Sequence, residues 1–586
     1  MWESVIVFLL AILLAYPLGN YLAAVMQGQP MSTDKLFRWV EQPIYRILSV
    51  SPQSGMSVRQ YISAFLLSNL VVLVAVWSIF MTQQWLPLNP NHAPNMRWDL
   101  ALHTTISFLT NTNQQHYSGQ AQLSHLSQMT GIVGLQMITP MMGLALVVAT
   151  LRGLFYSHPQ NSTDQNAVVE TKLNSLARPK NKMLINELPI NVGNYWADVI
   201  RPTCRFLIPL CMIWSLLLTS QGVPSTFAGG PTVQVLDQQA ELTEQKIPLG
   251  PVSSMVAIKQ LGSNGGGWYG PNSAVPFENP TPFSNMLELL AIFIIPMSVV
   301  FMLGKFTQRR KFMLLVLGSM LLMSVLSTGL ALWSEGYSTS SHTLALMEGK
   351  EVRFGTDASA LWLAMTTQVN NGSVNMMHDS AAPLTGLVAL SNMLINAIWG
   401  GVGCGLQQFI VYLLLGVFVA GLMTGRTPEL FGRKIEAHEI KLLAVLILLQ
   451  PLVLLGFTAA ALYFPAITAN SNPAFHGISQ VFYEYVSAFA NNGSGFEGLG
   501  DNTLWWNLSC SVVLLLGRYP ALIIPLLIAA SLASKRQAPE STGSLQIETP
   551  TFALTLIAMV VILTLLQFMP VLVLGPVADH LLLVSS

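Results

Sequence analysis

Ten apolar runs, each long enough to cross a bilayer at about 20 residues, are separated by connections whose basic residues fall almost wholly in alternate positions. The runs lie near 4–26, 61–85, 128–153, 202–222, 283–304, 310–335, 383–424, 439–465, 503–533 and 551–576. A soluble chain would place charge at roughly a quarter of its positions. Here 9% of 586 residues are charged and 52% are hydrophobic. The pattern predicts an all-α polytopic membrane protein with ten transmembrane helices.

The charges orient those helices. Lys35, Arg38, Arg46 and Arg59 follow the first run, and Arg152, Lys172, Arg178, Lys180, Lys182, Arg201 and Arg205 surround the third connection. Lys305, Arg309, Arg310 and Lys311 fill the fifth, Arg426, Arg433, Lys434 and Lys441 the seventh, and Lys535 with Arg536 the ninth. All these residues lie on one side, which by the positive-inside rule is the cytoplasm. Only Arg97, Lys246, Lys259, Lys350 and Arg353 sit opposite, and Arg518 falls inside a run. Both termini are therefore expected outside. The N-terminal run has no basic leader and reads as a retained helix rather than a cleaved signal. The polar 154–198 connection reads as a cytoplasmic loop.

Several classes are set aside. A formal net charge of zero leaves no electrostatic footprint for nucleic acid. Cys204, Cys211, Cys404 and Cys510 show no zinc spacing and read as buried free thiols. His378, Asp379 and Ser380 carry hydrolytic residue types in a row, but a triad needs spatial rather than sequential neighbours. A membrane-embedded hydrolase is thus a weak third class. No GxxxxGK[ST] or DKTG motif occurs, so any active transport draws its energy from a partner. Glu288, in the outer half of a run, either pairs with a neighbouring loop or reaches the interface.

Four external connections share one design: LALHTTISFLTNTNQQHYSG, MVAIKQLGSNGGGW, ALWLAMTTQVNNGSV and VFYEYVSAFANNGSGF. Each is a short semi-apolar stretch ending in small polar residues between two spanning runs. Four such helix–pore loop–helix units plus one helix at each end again give ten spans. The tips align in columns: Asn111, Ser263, Asn370 and Asn491; then Thr112, Asn264, Asn371 and Asn492; then Asn113, Gly265, Gly372 and Gly493. A cation leaving water exchanges its hydration shell for oxygen ligands, which rings of backbone carbonyls supply. Glycine allows the backbone turns that aim those carbonyls, and a short helix ending at the site adds partial negative charge. No Asp or Glu occupies the columns, which points to a monovalent ion. Ordinary surface turns also favour Asn and Gly, but four tips in register favour an ion site. In GSNGGGW, Gly265 takes the column position, and Gly266 with Gly267 lets the chain turn back outward.

Segment 383–424 is too long for one straight span and holds GGVGCG at its centre. It reads as a helix broken in mid-membrane, which requires burial in protein or a cavity. Gly400, Gly401, Gly403 and Gly405 are a gate candidate, with a plain kink as the alternative.

Long blocks, WDLALHTTISFLTNTNQQHYSG, GPVSSMVAIKQLGSNGGGWYGPNSAVPFENPTPFSN, MEGKEVRFG and GLMTGRTPELFGRKIEAHEIK, closely resemble the KdpA family of potassium-binding subunits of bacterial Kdp transporters. The resemblance spans nearly the whole chain, apart from 154–198. It implies the fold of the potassium-transporter superfamily, with four units around a pseudo-fourfold axis: 61–153, 199–304, 310–425 and 439–535. Residues 1–60 add a first helix and cytoplasmic loop, and 551–576 a last helix. It also implies K+ at a filter formed by the twelve column residues. Gln115 would stand beside that filter, and Arg518 below it as a positive barrier to leak; helix packing is the alternative for Arg518. The family often has smaller residues, such as Ser–Cys, where this chain has Asn370–Asn371. The implied partners are a P-type ATPase subunit (KdpB-like) that alone uses ATP, a single-span subunit (KdpC-like) and a one-helix subunit (KdpF-like), in the bacterial cytoplasmic membrane. The rival is a self-contained potassium channel or symporter of the Trk/Ktr/HKT kind.

Overall fold

The computed structural model describes residues 2–155, 191–237, 241–337, 347–468, 470–472, 474–538 and 545–585. The fold is all-α, apart from two small antiparallel hairpins, Thr232–Gln234 with Glu244–Lys246 and Glu429–Leu430 with Arg433–Lys434. Among the described residues, ten helices are long and apolar enough to cross a membrane. Several begin where a hydroxyl side chain satisfies the first free backbone N–H groups. Ser57, Thr281, Thr503 and Thr549 fill that role for Val58–Thr82, Pro282–Thr307, Leu504–Ala533 and Pro550–Leu572.

Between paired long helices stand four short ones: Trp98–Leu109, Val252–Leu261, Gly355–Val369 and Ala474–Ala490. Their residues are almost entirely buried. The helices around them divide into an inner and an outer set. The most apolar window of Pro282–Thr307 is 89% buried within the protein, against 22% for Ala437–Tyr463. The inner helices enclose the short ones, and the outer ones turn apolar side chains outward, as a lipid-facing surface requires. The N-terminal helix Trp2–Gln27 lies along Pro282–Thr307. Backbones approach so closely there that a Cβ on Gly19 would stand 2.5 Å from the Ser298 carbonyl oxygen.

Two boundaries differ from the apolar runs, and the expected break in the seventh is present. The fourth span starts at Tyr195, because Asn194 caps it and Arg152 holds Asp198 at 2.5 Å. Those polar residues hide the helix start from a hydropathy reading. The last span continues through a π-turn at Val573–Val577 to Ser585. Segment 383–424 breaks into Pro383–Ile395 and Cys404–Thr424. Of the 154–198 connection, 156–190 lies outside the described residues. The thiol expectation needs one correction: Cys204, Cys211 and Cys510 are buried, but Cys404 is only partly so. It opens onto an internal cavity described below.

The last helix is tied to the fourth short helix through one imidazole. His476 lies between Asp379, at 2.9 Å, and Asp579, at 3.0 Å, with Phe496 stacked on its ring. Burial disfavours the imidazolium, yet hydrogen bonds to both carboxylates raise its pKa to about 9. A raised folded-state pKa gives stability that is complete below the unfolded value near 6.5 and lost as pH climbs through 9. The purified protein is therefore expected to lose thermal stability from pH 7 to pH 10 by more than His476→Gln does. Equal losses in a melting-temperature series would refute this tie.

Candidate functional site

Each tip follows the C-terminal end of a short helix, where unsatisfied carbonyls carry partial negative charge. The backbone alternates there. Asn111, Ser263, Asn370 and Asn491 have φ of 64°, 53°, 54° and 56°, and Asn113, Gly265, Gly372 and Gly493 have 58°, 77°, 85° and 103°. The intervening residues keep negative φ. Left-handed conformations suit Asn and Gly best, which explains seven of the eight residues in the first and third columns; Ser263 is the exception.

The tips close on one another in a ring. A Cβ on Gly265 would stand 1.9 Å from the Asn371 carbonyl oxygen, one on Gly372 2.0 Å from that of Asn492, and one on Gly493 2.0 Å from that of Thr112. Second-column carbonyls of the third, fourth and first tips thus press on third-column glycines of the second, third and fourth. The circuit completes through Asn113, whose amide donates to the Gly265 carbonyl at 3.0 Å. The first tip tolerates a side chain because that side chain supplies this bond.

The second column braces the ring. Asn371 donates to the Lys259 carbonyl at 2.9 Å and accepts from the Ser373 N–H at 3.0 Å. Asn492 repeats this with the Thr366 carbonyl at 3.1 Å and the Ser494 N–H at 3.0 Å. The Asn264 side chain meets the Asn111 side-chain oxygen at 2.5 Å, and turning its amide over lets the nitrogen donate to the Ile258 carbonyl at 3.2 Å. Thr112 is held at 2.9 Å by Asn491. Gln115 bridges the first two tips, accepting from the Gly267 N–H at 2.8 Å and donating to its carbonyl at 3.1 Å. Gly266 has φ 70°, and a Cβ there would approach the Gln115 side-chain oxygen at 3.0 Å. Gly267 is needed for space, since a Cβ would lie 2.6 Å from the Tyr269 carbonyl.

The ring divides two spaces. On one face, Asn113, Gly266, Gly372 and Gly493 border a vestibule of about 380 Å3 that also touches Glu484, Glu497 and Asp501. On the other, Asn111, Ser263, Asn370 and Asn491 line a cavity of about 30 Å3, room for one or two water-sized species. The broken helix forms part of that cavity's wall through Gly400, Gly401 and Cys404. Gly400, Gly401 and Gly403 have φ of 56°, 83° and 90°, and the turn hangs from the Gln368 carbonyl through the Trp399 and Gly400 N–H groups. A Cβ on Gly405 would meet the Trp399 carbonyl oxygen at 2.0 Å. Arg518 lines the same cavity, is 8% exposed, and donates to Cys404 Sγ at 3.1 Å.

Behind the second tip lies a polar cluster that the column alignment misses. Lys259 and Glu278 form a fully buried ion pair. Lys259 also donates to Ser273 at 2.7 Å, and Ser273 to Glu288 at 2.6 Å. Glu288 accepts from Gln260 at 2.7 Å, so of its two readings the structure selects pairing with a neighbouring loop. Lys259 itself was the available signal: a lysine within a semi-apolar stretch requires a buried counter-charge. His378 and Asp379 do not converge. Burial pushes the His378 pKa down to about 3 and its ring faces the Tyr483 hydroxyl at 3.0 Å, whereas Asp379 turns to His476 and Gln480.

Comparison with known proteins adds the family. The model of the potassium-transporting ATPase A subunit, KdpA, matches residues 5–581. The potassium-transporting ATPase potassium-binding subunit of Gloeobacter violaceus is 42% identical, over 96% of this chain and 94% of that protein. The protein of the same description from Pseudomonas putida is 41% identical, over 98% and 97%. A crystal structure of the potassium transporter TrkH from Vibrio parahaemolyticus aligns with a TM-score of 0.47 at 15% identity, covering 90% of this chain and 98% of that one. From the match over nearly its whole length, the chain belongs to the KdpA family of potassium-transporting ATPase A subunits.

Proposed function

We propose that the chain is the potassium-binding, non-catalytic subunit of an ATP-driven potassium uptake complex. Potassium enters the vestibule from outside, sheds water at the ring of tips, and passes into the small cavity on its way to a P-type ATPase partner. The observation that carries this reading is the closed ring itself. Carbonyl oxygens from three tips press on glycines of their neighbours at distances only glycine permits, and the circuit separates two spaces. Backbone carbonyls held this rigidly can replace a hydration shell. The second-column amides and Gln115 supply the rigidity.

On this reading Thr112, Asn264, Asn371 and Asn492, with their first- and third-column neighbours, contribute the potassium ligands. Gly400, Gly401, Gly403 and Gly405 shape the inner exit, and Arg518 opposes direct passage to the cytoplasm. The protein sits in the bacterial cytoplasmic membrane with both termini outside. It assembles with an ATPase subunit that alone hydrolyses ATP, a single-span subunit and a one-helix subunit.

The test is purification through a tag on this chain. A P-type ATPase subunit is expected to co-purify, and ATP hydrolysis by the complex to rise with added potassium. A chain that purifies alone and conducts potassium in vesicles without ATP would instead make it a self-contained channel or symporter.

A further inference from the structure

In the wall of the vestibule, a histidine, a glutamate and a cysteine from three separate elements converge in a way the potassium reading does not use. A ring nitrogen of His116, a carboxylate oxygen of Glu484 and the Sγ of Cys510 all lie within 4.8 Å of one another. The three residues are buried, at 2%, 1% and 0% exposure. His116 Nε2 stands 3.2 Å from Glu484 and 3.9 Å from Asp501. His116, Glu484 and Asp501 border the vestibule, so an ion arriving from outside reaches them without crossing the ring.

The other face of the imidazole is fixed. His116 Nδ1 lies 2.8 Å from the Asn507 side-chain oxygen, and the Asn507 amide donates to Asp99 at 2.9 Å. A ring that donates through Nδ1 directs Nε2 at the two carboxylates, and metal-binding histidines are commonly oriented in this way by a partner on the other nitrogen. Nε2 cannot face two carboxylates with a bare lone pair. It must hold either a proton or a cation. In the cation-free protein it holds a proton, which it donates to the Glu484 carboxylate.

We propose that His116, Glu484 and Cys510, with Asp501 as the fourth ligand, form a binding site for a zinc-class divalent cation in the vestibule wall. Nitrogen, oxygen and sulfur ligands together suit a borderline-soft ion and not potassium. Tetrahedral zinc–ligand bonds place neighbouring ligand atoms about 3.3–3.8 Å apart, so His116, Glu484 and Cys510 need only a small contraction, while Asp501, 3.9 Å from His116, must move in to complete the set. Binding displaces the proton on the His116 ring nitrogen and the proton of the Cys510 thiol, both released to solvent, so the affinity rises with pH. Glu484 also accepts a hydrogen bond from Gln114, the residue after Asn113. Occupation of the site would draw the carboxylate away from the first tip and slow potassium entry.

The test is titration of the purified full chain with Cd2+, following the ultraviolet thiolate-to-cadmium absorption band. One equivalent is expected to produce the band, Zn2+ to displace it, and higher pH to lower the half-saturating concentration. Cys510→Ser is expected to abolish the band, and Cys404→Ser to leave it unchanged. His116→Gln, which keeps the thiol, is expected to retain the band with half-saturation raised at least about tenfold, a loss of about 1.4 kcal/mol. No band in the wild type, a band that survives Cys510→Ser, or an unchanged half-saturation in His116→Gln would each overturn the site. None of these readouts depends on the potassium assignment.

Discussion

Gly265→Asp is expected to raise the potassium concentration that half-activates ATP hydrolysis by the complex at least about a hundredfold. Three effects act together. The backbone at this position has φ 77°, where a side chain costs about 1–2 kcal/mol. A Cβ would stand 1.9 Å from the Asn371 carbonyl oxygen and 2.7 Å from the Ser373 nitrogen, so the third tip must move. The added carboxylate would then lie beside carbonyls already facing one another. A loss of about 2.7 kcal/mol in ion binding is a factor of about 100. Gly265→Ala keeps the first two effects and omits the charge, so it is expected to fall between wild type and Asp. The measurement is ATP hydrolysis against potassium concentration. Wild-type affinity in Gly265→Asp would remove the second tip from the potassium site. A variant that fails to assemble is recognised by the absence of the partner on purification.

What the sequence made legible follows from which constraints are local. Bilayer thickness dictates the length of each apolar run, and each of the ten runs overlaps a spanning helix among the described residues. Left-handed backbone is also a local demand, met by Asn and Gly, so the tips could be aligned without knowing how they meet. The glycine run at 400–405 marked the break in the seventh span for the same reason. Gly266 and Gly267 show the limit of that logic. Both let the chain turn, but one is required by its φ and the other by the space beside Tyr269. Residue type alone cannot separate those causes.

Contacts between distant residues were not legible. The partners of His116 lie 368 and 391 positions away, at Glu484 and Asn507, and no periodicity encodes such a pairing. Lys259, Glu278, Ser273 and Glu288 are closer in sequence, but their meeting depends on how the loop folds behind the second short helix. The start of the fourth span was missed because its first turn pairs Asp198 with Arg152, and that charge lowers hydropathy where the helix is in fact packed. For Cys404, the absence of a metal-binding spacing leaves only the expectation of a buried thiol. Its position at the first turn after the break turns it instead toward Arg518.

Arg518→Gln is expected to admit potassium to the cytoplasm without matching ATP hydrolysis. The guanidinium shares a cavity of about 30 Å3 with all four first-column residues. Nothing among the residues lining that cavity carries a compensating carboxylate, and the one hydrogen bond described for the guanidinium goes to a thiol. A positive charge so placed repels a cation leaving the ring. For two unit charges about 8 Å apart at an effective dielectric of about 20, the repulsion is roughly 2 kcal/mol. Removing it speeds passage about thirtyfold. Gln keeps hydrogen-bonding capacity and much of the volume, so the ring and the broken helix should keep their packing. Arg518→Lys preserves the charge and serves as the control. In vesicles containing the complex, passive potassium or rubidium flux without ATP should rise about thirtyfold for Gln and little for Lys. Half-activation of ATP hydrolysis should shift far less than in Gly265→Asp, because the ring is intact. If Arg518→Gln stays as tight as wild type, the guanidinium serves helix packing rather than the ion path. The barrier must then lie in the broken helix itself.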